Sequence, residues 1–112
     1  MGRDAIVAGT GFEDRAKIIR RHVRDGMPVR LRREPNNPYD ANAVAVMIEV
    51  PRLLGFLGRR LVQIGYIKSG AAKSIGPKID AGIPVTGFVK SFYAPDGRDH
   101  PRVSLRLGWP NA

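Results

Sequence analysis

Short runs in which every second residue is apolar dominate the chain, and a period of two belongs to a half-buried β-strand, not to a helix. Pro28–Arg33 sets Val29 and Leu31 on one side and Arg30 and Arg32 on the other. Arg102–Leu107 repeats the pattern, with Val103, Leu105 and Leu107 pointing inward and Arg102, Ser104 and Arg106 outward. Ala43–Ile48 is continuously apolar, which fits a strand buried on both faces, or on one face with small alanines on the other. Ala5–Ala8, Val62–Ile67 and Val85–Tyr93 read as further strands, the first ended by the glycine-permitted turn Gly9-Thr10-Gly11. Val85–Tyr93 and Arg102–Leu107 are joined around Ala94-Pro95-Asp96-Gly97 and so predict a terminal hairpin. On its first strand Phe88, Lys90 and Phe92 share a face opposite Val85, Val89 and Tyr93. Such an aromatic and basic face either stacks bases and holds phosphates or forms a second layer of core.

Two segments break the alternation with helical spacing. Asp14 can cap a helix over 14–25 with Ile18, Ile19, His22 and Val23 on one face, closed by Gly26. Its arginines, Arg15, Arg20, Arg21 and Arg24, form a solvated face or contact phosphates directly. Ser69 can cap a second helix through Ala71, Ala72, Ile75 and Ile79 to Gly82, which Pro77 should kink or restart. Strands without a strand–helix–strand rhythm point to a mostly β, α+β chain folded as a small antiparallel barrel. With no repeat, linker or low-complexity tract, residues 1–112 read as one domain.

Composition narrows the function classes. The chain has no cysteine, so neither a disulfide nor a Cys-based zinc site is available. His22 and His100 lack the paired spacing of metal ligands, so neither metal nor cofactor is expected. Nineteen Lys and Arg against ten Asp and Glu give a net charge of +9, which favours an anionic partner, above all a nucleic acid. No apolar run is long enough to span a bilayer, and Met1–Thr10 lacks the pattern of a secretory signal, so the chain is expected in the cytoplasm and off the membrane.

The segment Arg33-Glu34-Pro35-Asn36-Asn37-Pro38-Tyr39-Asp40-Ala41-Asn42-Ala43-Val44, followed by Ile64-Gly65-Tyr66-Ile67 and an alanine-bearing helix ending in Asp80-Ala81-Gly82, resembles the HIRAN domain over residues 5–90. The resemblance implies an OB-like or SH3-like barrel that binds single-stranded DNA at a free 3′-hydroxyl end. It further implies a place in DNA repair or replication-fork processing, with repair ATPases or nucleases as partners. Carried over by position, it implicates Tyr39 and Asp40 within the motif and Phe12 after the first strand, where Gly11 replaces an arginine of a eukaryotic member. Tyr66 stands in place of a histidine, Lys68 lies at the start of the second helix, and Phe92 offers a late aromatic. The chemistry suits these residue types. An aromatic ring stacks a base, a carboxylate accepts from a terminal hydroxyl but repels a phosphate, and Asn37 or Asn42 can stiffen the loop or bond a base.

Two other classes compete with a binding module. Asp40 and Glu49 do not make a nuclease centre, because no lysine follows Glu49 at two residues and no dense acidic cluster would hold magnesium, so no enzyme activity is expected. The glycine-punctuated segment Pro51–Arg60, with apolar Leu53-Leu54-Gly55-Phe56-Leu57, is either an elaborated hairpin that packs back on the core or the exposed surface of a protein-interaction module, joining a partner or a second copy as a homodimer.

Overall fold

Strand alternation closes into a barrel in the computed structural model, which describes residues 1–52, 58–95 and 100–110. The elements run β1 (Gly2–Ala8), α1 (Arg15–His22), β2 (Pro28–Arg33), β3 (Val44–Pro51), β4 (Arg59–Ile67), α2 (Ser69–Asp80), β5 (Thr86–Tyr93) and β6 (Arg102–Gly108). Around the barrel the order is β1-β4-β3-β2-β5-β6, with β6 returning to β1 and every neighbouring pair antiparallel. Closure leaves no sheet edge to be covered, which suits a small chain without disulfides.

The inward residues are those the period of two selects. Val44, Val46, Ile48, Ile64, Val89, Val103, Leu105 and Leu107 are all fully buried. β3 is covered on its other face as well, where Ala45 and Met47 are buried, and β3 and β4 pair antiparallel out to Pro51 and Arg59, the two arms that a hairpin there requires. Ile19 of α1 and Val23 just after it pack into the core, as do Ala72 and Ile75 of α2. Burying a branched side chain of this kind contributes roughly 1.5–3 kcal/mol, so the filled interior is the main source of stability.

Three local expectations need correction. First, α1 ends at His22, not near Gly26. Val23 is already extended and fully buried, and the Gly26 N–H donates to the Val89 carbonyl at 2.7 Å, so pairing with β5 ends the helix early. Gly26, at a φ of +82°, turns the chain into β2 instead. Asp14 and Lys68 occupy the two N-cap positions without side-chain cap bonds, so neither Asp14 nor Ser69 caps as expected. Second, Pro77 does not restart α2, which runs unbroken from Ser69 to Asp80 with the proline inside it. Pro77 and Lys73 are both exposed, so water can serve the Lys73 carbonyl that proline cannot. Third, Phe92 does not share an outward face with Phe88 and Lys90. The β5–β6 register shifts between Val89 and Ser91, and this bulge reverses the facing, so Phe92 packs on the core with Val89 while Tyr93 turns outward.

Two contacts fix the parts that frame the site. Gly76 is buried in α2, where a Cβ would come within 2.9 Å of the Asn42 carbonyl, so the helix lies directly against the loop between β2 and β3. Arg33 locks that approach by donating to Asp80 at 3.0 Å and to the Ala43 carbonyl at 3.1 Å.

Candidate nucleic-acid interface

The turn after β1, the start of α1, the β2–β3 loop and the end of β4 converge on an open groove of about 770 Å³. Phe12, Arg15, Glu34, Asn37, Tyr39 and Tyr66 line it, together with Gly9, Pro35, Asn36 and Pro38. Three aromatic rings therefore meet on one concave surface, and two are well exposed: Phe12 at 59% and Tyr39 at 95%.

The loop is held by its own polar side chains. Asn37 Oδ1 accepts from the backbone N–H of Tyr39 at 2.9 Å and of Asp40 at 3.2 Å, while Asp40 Oδ1 accepts from the Asn42 N–H at 2.8 Å. Side chains bonding the backbone two or three residues on substitute for ladder bonds that prolines prevent. Backbone bonds from Glu34 N–H to the Ala43 carbonyl and from Ala43 N–H to the Asp40 carbonyl close its base. The exposed Tyr39 ring thus rides on an anchored backbone.

Glu34 joins the loop to the barrel. Its Oε1 accepts from the Tyr66 hydroxyl at 2.9 Å and from Asn37 Nδ2 at 3.2 Å, and its Oε2 accepts from Arg32 at 3.0 Å. Burial alone pushes this carboxyl upward, but the bonds from Tyr66, Arg32 and Asn37 together outweigh it and hold the pKa below the ordinary value. Across the groove the Arg15 guanidinium lies 5.2 Å from the Phe12 ring centre and 5.8 Å from that of Tyr66, and it donates to the Gly9 carbonyl at 3.0 Å. A cation held by two rings and a carbonyl is already oriented for an anion.

Of the residues singled out in the sequence, Phe12, Asn37, Tyr39 and Tyr66 line the groove together. Asp40 sits half-buried at the loop's end, beside Tyr39 but not among the lining residues, and Asn42 is half-buried against α2. Lys68 is exposed at the N-cap of α2, its N–H bonded to the Ile6 carbonyl at 2.9 Å. Phe92 lies on β5, packed against the core and not among the groove residues. Glu34 was not singled out, and Arg15 was named only with the other arginines of α1. Glu34 stands inside the motif itself, whereas Arg15 carries no signal beyond its charge until α1 is packed on β4. Leu53–Leu57 falls outside the described residues, and so does the Asp96–Asp99 part of the last turn. Among the described residues no three His, Cys, Asp or Glu side chains gather into a metal cluster, and no helix is long and apolar enough to cross a membrane.

A closed six-stranded antiparallel barrel with two helices and an aromatic groove at the β2–β3 loop defines a small OB-like module. The family model of the HIRAN domain matches residues 4–107, and the chain belongs to that family. The match takes in the terminal hairpin beyond the stretch in which the motifs lie. Among solved structures the chain is similar to the HIRAN domain of human HLTF, with a TM-score of 0.64 and 22% identity over 96% of this chain and 74% of that one. It is also similar to a protein from Lactobacillus plantarum, with a TM-score of 0.68 and 25% identity over 93% of this chain and 89% of that one. No curated protein matches it.

Proposed function

We propose that this chain is a non-catalytic DNA-binding module whose groove takes the free 3′-hydroxyl end of a single strand, in the service of DNA repair or replication-fork processing. The observation that carries this reading is the convergence of Phe12, Tyr39 and Tyr66 with Arg15 in one open groove. Rings stack bases without regard to sequence, and each stacked base contributes about 1–3 kcal/mol. Membership in the HIRAN family supports the same partner. So does the net charge of +9, which draws a polyphosphate from a distance.

Within the groove the roles divide by chemistry. Tyr39 and Phe12 stack the last bases, and Arg15 pairs with a phosphate between them. Asp40 uses Oδ1 to hold the loop and offers its other oxygen to the terminal hydroxyl. Asn37 presents Tyr39, and Tyr66 forms the groove floor, with Lys68 near the strand's path. Repair ATPases or nucleases are the enzymes such a module would serve.

The test is affinity for one oligonucleotide ending in a 3′-hydroxyl, a 3′-phosphate or a closed circle. A carboxylate bonded to a hydroxyl is worth about 1.5–3 kcal/mol, so the phosphorylated and circular strands should bind at least ~10-fold more weakly. Asp40→Ala should erase most of that difference. Equal affinity for all three strands in the unaltered protein would contradict end recognition.

A further inference from the structure

The two ends of α1 differ in chemistry, and only one belongs to the groove. At the N-terminal end Arg15 rests on Phe12 and on Tyr66, near the end of β4. α1 packs against β4, and at its C-terminal end the charges of Arg21 and Arg24, with that of Arg60 at the start of β4, all act on the His22 imidazole. The helix therefore runs antiparallel to β4, with aromatic chemistry at one end of the seam and concentrated positive charge at the other.

Arg21, Arg24 and Arg60 are exposed, and none enters an ion pair among the described residues. Among the described residues the carboxylates in ion pairs are Asp4, which holds Lys90 and Arg106, and Glu34, Glu49 and Asp80, which hold Arg32, Arg30 and Arg33. A helix C-terminus favours a nearby cation, and Arg24 indeed donates to the Val23 and Arg21 carbonyls at 2.7 and 3.3 Å. That preference does not explain Arg60, which comes from a neighbouring strand. Like charges gathered without a counter-ion cost stability, and they recover it when an anion arrives.

We infer that Arg21, Arg24 and Arg60 form a phosphate track, continuous with the groove, that carries the nucleotides preceding the bound end along the seam between α1 and β4. The inference rests on the groove binding a single strand, as proposed above. From Arg15 to His22 the helix rises about 10 Å, and from Arg60 to Tyr66 the strand extends about 20 Å. At the ~3.4 Å phosphate spacing of a duplex strand that distance holds roughly three to six phosphates, fewer if the strand is stretched.

His22 is a reporter within the track. Burial first, then the charges of Arg21, Arg24 and Arg60, hold its imidazole below the ordinary histidine value. Phosphates lying on those arginines would cancel the charge contribution and move the imidazole upward.

The experiment compares a three-nucleotide and a ten-nucleotide single strand, both ending in a 3′-hydroxyl, over a range of salt. The longer strand should bind at least ~10-fold tighter at low salt. The triple variant Arg21→Gln, Arg24→Gln, Arg60→Gln should remove most of that advantage and reduce the logarithmic salt slope for the longer strand by about 2, from roughly three phosphates at ~0.7 each. Its affinity for the three-nucleotide strand should stay within about twofold. In the unaltered protein, NMR titration of His22 should show a raised pKa with the ten-nucleotide strand and none with the shorter one, a readout that does not depend on the variant folding. An unchanged slope, equal affinity for the two lengths, or an unmoved His22 would overturn the track while leaving the groove reading to stand on the shorter strand. If neither strand binds, the groove reading fails and the track fails with it.

Discussion

Two regions of this barrel carry exposed aromatic residues beside basic ones, and they differ in what those residues are free to do. In the groove, Phe12, Tyr39 and Tyr66 face a common space, and Arg15 lies over two of the rings. On the terminal hairpin, Phe88 and Tyr93 are exposed at 45% and 65%, but Phe92 has turned inward across the bulge. Two of the hairpin's cations are also engaged: Lys90 and Arg106 both donate to Asp4, at 2.7 and 3.2 Å, while Arg102, opposite Tyr93, enters no ion pair among the described residues. The same residue types line an open groove in one place and brace a sheet surface in the other. Convergence of rings, with a cation laid over two of them, separates the two.

The largest expected effect follows from the rings. Tyr39→Ala should weaken single-stranded DNA binding by about 1–3 kcal/mol, roughly 5-fold to 150-fold, whereas Tyr93→Ala should change it less than about twofold. Anisotropy titrations of the two variants decide this. Comparable losses would erase the contrast between groove and hairpin.

A smaller effect should come from Glu34, which ties Tyr66 and Asn37 together. Glu34→Gln should cost on the order of 1 kcal/mol of stability at neutral pH, read by thermal or urea unfolding. The dependence on pH has a definite sign. Because the folded-state pKa of Glu34 lies below its unfolded value, the carboxylate stabilises the fold above the ordinary glutamate range, and that contribution fades as pH falls through the lower, folded value. The gap between the unaltered protein and Glu34→Gln should therefore narrow in acid. A gap that widens in acid would mean that Glu34 is not held as its hydrogen bonds imply.

Much of the barrel was legible because alternation is a local property. Val103, Leu105 and Leu107 face inward as their spacing requires, and Pro28–Arg33 has the boundaries its pattern implies. The motif loop was equally readable, since proline, asparagine and aspartate state their turn chemistry in sequence. Two features were not. A bulge adds one residue to one strand, and nothing around Lys90 marks which side the chain will choose afterwards. The position of Arg15 depends on α1 packing on β4, a contact between residues about fifty apart in the chain that no local period encodes. Gly26 misled for a related reason: its left-handed turn is real, but bonding to Val89 placed it after a shorter helix.

The smallest effect sharpens the comparison from the hairpin side. Bonds from Lys90 first, then Arg106, hold the Asp4 carboxyl below its ordinary value, so it stays ionised and keeps both cations occupied. Asp4→Asn should release them and strengthen binding to single-stranded DNA at low salt by about twofold, with the gain vanishing at high salt. A gain that survives high salt would point to a rearranged surface.

The most direct test of the groove is to map where a single strand lies by following the aromatic side-chain NMR signals during titration with a 3′-hydroxyl oligonucleotide. The rings of Phe12, Tyr39 and Tyr66 should shift together and saturate at one affinity, as stacked bases add their ring currents, while Phe88 and Tyr93 stay in place. Shifts centred on Phe88 and Tyr93, with the groove rings unmoved, would contradict the assignment of the groove as the binding site.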